Sequence, residues 1–558
     1  MAKPTRFDQA MIDDYLARGY WDRVCIADIL EQNARNYPDK EAIVDSEKRL
    51  TWSELNRRVD RVVLGLLELG IKRDQAIVAQ IPNSTTAVIY LLACQKAGVL
   101  SCFSPMTFRH KEMSHILETL KAVGVVTPWK YRNFDYFKMV KEIARYLPHL
   151  RHFFVIDNEM PQGGSSFQSL LCPSLGEQKA EEVLKEHAFG PFEVSVILQS
   201  SGTTGMPKCI EHTGASCKMT GRGIVQRGRL TEEDVFGIIA PLSGGPGIQN
   251  FWGGLQLGAK ICFIEHFSPD EALHLIQRER VTYLAAVPTQ MIRILRECDL
   301  SQYDLRSLRI VRTGASAFGA SIAWETEERM KCKVLIAGGS QETYSFAQTS
   351  VDDPPEKRLS TIGKPFPGNE IKIVDENEEE VPTGEIGQLF VRGAATSSGY
   401  FGNVEATRTA WGEIGKEGWY RTGDLATLDE LGYLILVGRK KDMILRGGQN
   451  IYPKEIESLL LSHPKIKDAL VVGIPDQIMG ERVCACVTLA GKDDFTFDEM
   501  ISYLKVKGLA VHKLPERIEV FEQLPTLVDG QKVDKKSVID RIVNKSKDES
   551  QKPGKVPV

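Results

Sequence analysis

The sequence lacks the marks of a disulfide-rich, zinc-binding or membrane protein. Its 558 residues include eleven cysteines, but there is no CxxC pair and no Cys/His group at zinc spacing, so we expect reduced thiols. No apolar run approaches the roughly 20 residues that a helix needs to cross a bilayer, and the N-terminus has no apolar signal segment. These absences predict a cytoplasmic protein without a membrane span.

An excess of charge of one sign is also absent. Lys plus Arg number 70 and Asp plus Glu number 74, a net charge of −4, which gives no reason to expect a nucleic-acid partner. Apolar residues make up 42% and charged residues 26%, as in an average globular protein. The length suggests about three to four domains' worth of chain.

Two common nucleotide-binding motifs are missing as well. There is no GxGxxG fingerprint and no GxxxxGK[ST] loop, which argues against a dinucleotide-binding fold and a P-loop. A different loop, Ser200–Lys208, follows the apolar strand predicted at 194–198. Its backbone N–H groups, its hydroxyls and the charge of Lys208 suit phosphate oxygens. The alternative, a flexible surface loop, stays open on this segment alone.

The order of predicted elements indicates an α/β protein. Between about residues 50 and 390, short β-branched strands alternate with helices, which predicts a parallel sheet with helices on its faces. The range 371–391 has short strands and turns without a helix, as in a small barrel or antiparallel sheet. Helices return after Gly438. The clearest elements are strands at 76–79, 260–264, 281–287 and 308–312 and helices at 85–97, 268–280, 290–298, 452–463 and 497–507.

Four further motifs follow the loop in a fixed order. They are Gly384-Glu385 with Val391-Arg392-Gly393 and Gly399-Tyr400, then Trp419–Leu425 (WYRTGDL), Gly438–Asp442 (GRKKD) and Gly447–Glu457 (GGQNIYPKEIE). With the loop, this series resembles the adenylate-forming enzymes, which include acyl- and aryl-CoA synthetases, nonribosomal adenylation domains and firefly luciferase. The resemblance covers about residues 25–540.

The resemblance implies a domain plan. An N-terminal adenylation domain, 1–438, would contain two parallel-sheet α/β subdomains and a small β-barrel. A hinge at 439–442, centred on Lys441, would join it to a small mobile α+β domain at 443–543. The composition of 544–558, rich in Lys, Ser, Asp and Pro, predicts a disordered tail.

The resemblance also implies roles for individual residues, with ATP and CoA as cosubstrates and Mg²⁺ as the metal. Glu342 and Thr204 would be the metal ligands. Glu342 and Lys532 would be the catalytic residues, with Lys532 bridging the carboxylate and the α-phosphate. The residues expected to bind ATP are Ser201, Gly202, Thr203, Thr204, Lys208, Gly338, Gln341, Asp424 and Arg439.

The sequence departs from the family pattern around the adenine and the acyl group. Gly338 stands where the family has an aromatic residue that stacks on adenine, so Tyr344 becomes a candidate for that contact. The predicted acyl pocket is lined by small residues, namely Ser243, Gly244, Gly245, Gly314 and Ala315. They leave room for an aromatic, alicyclic or medium-chain acid. The alternative is that Gln249 or Phe251 fills this space.

Three functions fit these observations. The first is a free-standing ligase that joins a carboxylic acid to CoA with release of AMP and diphosphate. The second is an adenylation enzyme that loads the acid onto the phosphopantetheine of a separate carrier protein. The third is a luciferase-like or non-catalytic relative. The sequence leaves open the identity of the acid and the formation of a homodimer.

Overall fold

The structure is a computed structural model that describes residues 3–157, 159–173, 186–200, 206–314, 318–413, 418–476, 478–491, 493–525 and 533–550. The chain divides into two compact units. The first consists of Met1–Ser316, Glu325–Lys372 and Phe390–Arg421. The second consists of Ala317–Trp324, Ile373–Leu389 and Thr422–Val558.

A nine-stranded sheet forms one half of the first unit. Its inner strands are parallel, and antiparallel strands lie at both edges. The order across the sheet is Lys364–Pro365, Tyr344–Gln348, Lys333–Ser340, Ile310–Gly314, Tyr283–Ala285, Val235–Ile238, Lys260–Phe263, Glu41–Val44 and Arg49–Thr51.

An eight-stranded sheet forms the other half. Six strands are parallel, and Cys209–Thr213 and Gly399–Tyr400 add an antiparallel edge. The order is Gly399–Tyr400, Cys209–Thr213, Val194–Gln199, Leu100–Phe103, Ala76–Ala79, Gly124–Thr127, His152–Val155 and Ser165–Ser166. A separate two-stranded hairpin pairs Lys130–Tyr131 with Phe134–Asp135.

Helices pack on these sheets as the alternating pattern predicts. Thr85–Ala97 is buried along its whole length, begins at the Ser84 cap and ends at Gly98, whose φ of 65° is left-handed. The helices are Gln9–Ala17, Ile26–Asn36, Trp52–Glu68, Thr85–Ala97, His110–Thr119, Tyr136–Ala144, Gly214–Gly228, Gly245–Leu257, Pro269–Glu279, Pro288–Glu297, Ala320–Met330, Pro355–Ser360 and Val404–Trp411, with short 3₁₀ turns at Phe167–Leu171 and Leu300–Gln302.

The second unit is an α+β arrangement. In its five-stranded sheet the order is Gln449–Ile451, Ile444–Arg446, Gly480–Leu489 and Ile466–Asp476, and Arg517–Val520 pairs with Gly480–Leu489. Its helices are Pro453–Leu461, Phe497–Val506 and Lys535–Ser550, with 3₁₀ turns at Lys440–Asp442 and Val511–Lys513. A four-stranded sheet in the order Asn369–Val374, Gly387–Gly393, Tyr420–Leu428 and Leu434–Arg439 includes the range predicted as a small barrel or antiparallel sheet.

The α/β class and the small C-terminal α+β part are confirmed. One correction concerns the predicted disordered tail, because the helix Lys535–Ser550 continues through residues 544–550. Val538 and Ile542 of this helix pack in a buried cluster with Leu470 and Val472, and this burial explains why the polar composition did not prevent a helix. None of the helices within the described ranges combines the length and apolar character that a bilayer crossing requires.

Candidate active site

A tight turn between two antiparallel strands holds Glu342 in place. The Ser340 Oγ accepts hydrogen bonds from the backbone N–H groups of Glu342 and Thr343, each at 3.2 Å. The Glu342 carbonyl accepts a hydrogen bond from the Ser397 N–H at 2.7 Å. Only 8% of Glu342 is exposed. Backbone contacts on both sides therefore fix the position of its carboxylate.

The segment that contacts this turn is itself bonded to the N-terminal residues. Arg6 Nε donates to the Ser397 carbonyl at 2.9 Å, and its Nη2 donates to Thr396 Oγ1 at 2.5 Å. The Thr5 N–H and hydroxyl both donate to the buried carboxylate of Glu211, at 2.9 and 2.7 Å. Thr5 and Arg6 therefore support the backbone beneath the turn.

Two tyrosines lie beside the Glu342 carboxylate, and a lysine lies over the ring of one of them. The Tyr400 hydroxyl donates to Glu342 Oε1 at 3.1 Å, and the Lys208 Nζ lies 4.4 Å from the centroid of the Tyr400 ring. Burial, together with the charge of Glu342, raises the pKa of Tyr400 and of Tyr420. Both hydroxyls therefore stay protonated at neutral pH.

The predicted metal ligand Glu342 fits a nucleotide-bound Mg²⁺. In the part of the chain that the structure describes, no group of three or more His, Cys, Asp or Glu residues could hold a metal, and Glu342 enters no ion pair there. Mg²⁺ is usually held by one or two carboxylates together with phosphates and water. A single buried carboxylate with a neutral hydrogen-bond donor matches that mode. Thr204, the second predicted ligand, lies outside the described residues.

The candidate for adenine stacking, Tyr344, is wrong. Its ring is fully buried and stacks on His212, with 3.9 Å between the ring centroids. Burial lowers the pKa of His212 to about 3, so the imidazole is neutral and its Nε2 donates to the Gln341 carbonyl at 2.8 Å. The small residue at Gly338 also has a packing reason, since a Cβ there would collide with the Ile362 side chain.

The loop that carries the first predicted pocket residues is held by an asparagine that the sequence did not single out. Asn83 Nδ2 donates to the Ala240 carbonyl at 3.0 Å, and its Oδ1 accepts from the Leu242 N–H at 2.8 Å. Ser243 and Gly244 follow directly, and Gly244 is the N-cap of the helix Gly245–Leu257. The two hydrogen bonds of Asn83 therefore fix the backbone that leads into the predicted pocket residues Ser243 and Gly244.

The predicted pocket glycines differ in what surrounds them. A Cβ on Gly244 would have no heavy atom nearer than 3.5 Å, whereas one on Gly245 would meet Gln249 Nε2 at 2.8 Å and Gln341 Oε1 at 3.3 Å. A Cβ on Gly314 would lie 2.5 Å from the Ala337 carbonyl oxygen, so strand packing explains that glycine. The side-chain amides of Gln249 and Gln341 therefore lie directly against Gly245, and a larger residue there would displace them.

Of the two side chains suggested as pocket fillers, Gln249 lies at the predicted wall and Phe251 does not. Gln249 Oε1 accepts from the Ser345 N–H at 3.1 Å and from its hydroxyl at 2.6 Å. Phe251 is fully buried among apolar residues of the main core. The wall of the predicted pocket therefore carries the polar amide of Gln249 and not the apolar side chain of Phe251.

In the second unit, the two residues predicted to contact ribose face each other. Asp424 and Arg439 are paired across the antiparallel strands Tyr420–Leu428 and Leu434–Arg439, and Arg439 Nε lies 3.2 Å from Asp424 Oδ1. The Asp424 N–H donates to Thr422 Oγ1 at 3.0 Å. The two side chains form one partly exposed polar site.

The predicted hinge residue Lys441 lies in the 3₁₀ turn Lys440–Asp442. Asp442 accepts a hydrogen bond from Lys535 Nζ at 2.8 Å, which links this turn to the last helix. The Asp534 N–H donates to the Pro525 carbonyl at 2.8 Å. This hydrogen bond connects the two residues that flank the interval 526–532. The predicted catalytic residue Lys532 belongs to that interval and lies outside the described residues.

Several other predicted residues also lie outside the described residues and stay predictions. They are Ser201, Gly202, Thr203, Thr204 and Ala315.

The sequence profile of the AMP-binding enzyme family matches residues 30–401, and that of the AMP-binding enzyme C-terminal domain matches residues 455–530. The chain belongs to this family. It is an adenylate-forming acid ligase, as the five ordered motifs indicated.

Curated relatives of this AMP-binding enzyme act on different acids. A 2-hydroxy-7-methoxy-5-methyl-1-naphthoate–CoA ligase of Streptomyces carzinostaticus is 32% identical and covers 94% of each chain. A medium-chain fatty-acid–CoA ligase of Escherichia coli is 32% identical over 92% of this chain and 90% of its own. A salicyl-AMP ligase/salicyl-S-ArCP synthetase of Mycobacterium tuberculosis is 32% identical over 95% and 92%.

A solved structure shares the fold. The anthranilate CoA ligase AuaEII in complex with anthranoyl-AMP superposes with a TM-score of 0.84, at 25% sequence identity over 93% of this chain and 97% of that one.

Within this AMP-binding enzyme, the structure brings Lys208 and Glu342 to one place through Tyr400. Tyr400 received no role from the sequence, although the Gly399-Tyr400 motif marked its position. Asn83 and Arg6 were also missed, because their partners lie far away in the chain and no motif connects them.

Proposed function

We propose that this AMP-binding enzyme is an ATP-dependent carboxylic acid:CoA ligase for an aromatic, alicyclic or medium-chain acid. In the first half-reaction, a carboxylate oxygen attacks the α-phosphorus of ATP and the bond to the pyrophosphate oxygen breaks, giving acyl-adenylate and pyrophosphate. In the second, the CoA thiolate attacks the acyl carbon and AMP leaves. Adenylation is needed because a carboxylate is anionic and resonance-stabilised, and therefore a poor electrophile.

Residues of the first unit would bind the phosphates of ATP and the metal ion. Lys208, with Thr203 and Thr204, would bind the β- and γ-phosphates and then pyrophosphate. Glu342 would hold Mg²⁺, which when bound supplies positive charge to the phosphate oxygens. The Tyr400 hydroxyl, 3.1 Å from Glu342 Oε1, would orient that carboxylate, as partners of metal ligands commonly do.

Residues of the second unit would bind the ribose and the reacting carboxylate. Asp424 and Arg439, already 3.2 Å apart, would contact the ribose hydroxyls through their remaining polar atoms. Lys532 would place its charge between the carboxylate and the α-phosphate during adenylation. Gly338 and Gln341 would line the nucleotide side of the site.

The observation that carries the substrate class is the pair of glycines at the start of the helix Gly245–Leu257. A Cβ on Gly244 would make an ordinary contact, 3.5 Å from the Pro241 carbonyl oxygen, and Gly245 lies directly against the side-chain amides of Gln249 and Gln341. A ring with polar substituents fits such a wall better than acetate does. Relatives named for a hydroxynaphthoate and for salicylate support this assignment.

The identity of the thiol has two candidates. CoA is favoured by relatives that are named CoA ligases. The alternative, a carrier-protein phosphopantetheine, is favoured by the relative named salicyl-AMP ligase/salicyl-S-ArCP synthetase.

One experiment tests acid and thiol together. Pyrophosphate release is measured with benzoate, salicylate, cyclohexanecarboxylate, C4 to C12 fatty acids and acetate, first without a thiol and then with CoA or holo-carrier proteins. We expect ring-bearing or medium-chain acids to give pyrophosphate and, with CoA, a thioester detected by mass spectrometry. Acylation of a carrier protein with no acyl-CoA would establish the alternative, and a preference for acetate would contradict the pocket assignment.

A further inference from the structure

A buried arginine lies on the same strand as a predicted pocket residue. Arg312 belongs to the strand Ile310–Gly314 and is 3% exposed. Side chains two residues apart on a strand point to the same face. Arg312 therefore shares its face of the sheet with Gly314, which was predicted to line the acyl pocket.

Neutral groups hold the guanidinium. Arg312 Nε donates to Gln348 Oε1 at 2.9 Å, and its Nη2 donates to Ser345 Oγ at 2.5 Å. Both partners belong to the strand Tyr344–Gln348, whose pairing with Lys333–Ser340 shifts between Gly338 and Gly339, and such a bulge changes which side chains share a face. Ser345 and Gln348 can therefore both reach Arg312.

The structure shows no counter-charge for Arg312 in the part of the chain that it describes. Among the described residues Arg312 enters no ion pair, whereas the equally buried Arg358 lies 2.8 Å from Glu327. Burial lowers the pKa of Arg312, yet a guanidinium stays protonated in proteins. A buried cation is costly unless an anion compensates it.

A second donor beside Arg312 is also unmatched. The Nε2 of Gln348, a fully buried residue, has no hydrogen-bond acceptor within the described ranges, although buried donors are nearly always satisfied. The orientation of this amide is set by its Oε1, which accepts from Arg312. Two neighbouring donors, one of them charged, lack an anionic acceptor.

A short relay connects this site to the predicted acyl pocket. Ser345 Oγ accepts from Arg312 and donates to Gln249 Oε1 at 2.6 Å. The Gln249 Nε2 in turn lies 2.8 Å from where a Cβ on Gly245 would be. Arg312 is thus two side chains away from the glycine that borders the pocket.

We propose that Arg312 determines the specificity of the acyl pocket by binding a second anionic oxygen group, such as a carboxylate, that the acid carries far from its reacting carboxylate. The inference rests on the proposed acid-ligase function and narrows its substrate class to acids with two anionic groups. The guanidinium supplies the charge, and the Gln348 amide supplies an additional donor.

Matched acids and three variants test the proposal. The acids are benzoate, its 3- and 4-carboxy derivatives and its 3- and 4-acetyl derivatives, with hexanoate and adipate as the open-chain pair. The enzymes are the wild type, Arg312→Met, Arg312→Lys and the control Arg309→Met, which removes an exposed arginine paired with Asp234. The kcat/KM of pyrophosphate release is measured, with a thermal melt of every variant.

We expect the wild type to prefer a diacid by about 10- to 100-fold, the range of a charge-assisted hydrogen bond. Arg312→Met should abolish this preference, Arg312→Lys should keep part of it, and Arg309→Met should leave it unchanged. An unchanged preference in Arg312→Met, or an equal loss for every acid, would overturn the proposal. Equal rates for acetyl and carboxy derivatives would also overturn it, because the recognised group would not be anionic.

A binding measurement covers the case in which Arg312→Met is inactive. Calorimetry compares sulfamoyl-adenosine mimics of the benzoyl and 4-carboxybenzoyl adenylates on the wild type and on Arg312→Lys. Tighter binding of the carboxy mimic to the wild type, reduced in Arg312→Lys, supports the proposal. Equal binding of both mimics overturns this inference alone, and binding of neither overturns the proposed function with it.

Discussion

The two units differ in how the charges of their proposed site residues are partnered. In the first unit, Glu342 and Arg312 are buried and bonded to neutral groups, the Tyr400 hydroxyl and the Ser345 hydroxyl respectively. In the second unit they are partly exposed and paired with opposite charges, as Asp424 is with Arg439 at 3.2 Å.

This difference has a consequence for ligand binding. A buried charge with neutral partners interacts strongly with an ion that binds next to it, because no counter-ion cancels the charge and little water screens it. An exposed ion pair is screened and contributes little to stability. We therefore expect substitutions of Glu342 and Arg312 to change the handling of ATP and acid. Substitution of a second-unit ion pair that has no proposed ligand contact, such as Asp442 with Lys535, should change little.

The largest effect that we predict is at Lys532, a residue of the second unit whose charge has a proposed catalytic role. Lys532→Ala should lower the rate of adenylation by about 10² to 10³, the scale of removing one group that stabilises the transition state. Thioester formation from preformed acyl-adenylate should hardly change, since Lys532 has no role in that step. Pyrophosphate release and thioester formation are measured separately.

Variants of Lys536 and Lys441 sharpen this prediction. Lys536→Ala should leave both half-reactions intact, because Lys536 is exposed. Lys441→Pro should slow thioester formation more than adenylation, because a fixed φ stiffens the predicted hinge and removes an N–H. If Lys536→Ala is the variant that loses adenylation, the assignment of Lys532 is out of register.

Glu342→Gln tests the first unit directly. We expect a loss of about 10- to 100-fold in kcat/KM for Mg²⁺-ATP, the range of changes at and around metal ligands, because a neutral amide is a poor ligand for a hard cation. The measurement is pyrophosphate release as a function of Mg²⁺ concentration, and excess Mg²⁺ should restore part of the rate. Unchanged Mg²⁺ dependence would remove Glu342 from the metal site.

Gly245→Leu tests the polar wall of the pocket. The new side chain would displace the amides of Gln249 and Gln341, so kcat/KM for ring-bearing acids should fall by about tenfold, the scale on which pocket volume discriminates. Butyrate should be affected less than benzoate, and the ratio of the two rates is the measurement. An equal loss for both acids would indicate disrupted folding rather than a filled pocket.

The smallest effect is expected at an ion pair of the second unit. Asp442→Asn removes the 2.8 Å contact with Lys535, and we expect a cost of about 0.5 kcal/mol in the free energy of unfolding, because both side chains are partly exposed. A urea titration of wild type and variant measures it. A loss of several kcal/mol in the free energy of unfolding would contradict the comparison, because this partly exposed ion pair would then contribute as much as a buried charge.

Local pattern was sufficient to predict much of the fold. Strand Ala76–Ala79 and helix Thr85–Ala97 were predicted with their observed bounds, because both are marked by local runs of apolar residues. In the structure the Ser84 cap and the terminal Gly98 mark the same ends of the helix. Lys208 and Glu342 were found through motifs, and both contact Tyr400.

The remaining site residues could not be predicted because their surroundings depend on distant parts of the chain. Tyr344 follows a nucleotide motif, yet its ring stacks on His212 in the core. Arg312 reads as an ordinary strand residue, and only the irregular pairing at Gly338 and Gly339 brings Ser345 and Gln348 to it.

The contacts of Thr5 and Arg6 matter for how the protein is produced. Thr5 bonds to Glu211, and Arg6 bonds to the segment Thr396–Ser397, whose backbone contacts the carbonyl of Glu342. An affinity tag fused close to these residues, or a start codon chosen downstream of them, would act on the proposed metal site from a distance. A purification handle at the opposite end of the gene avoids that disturbance.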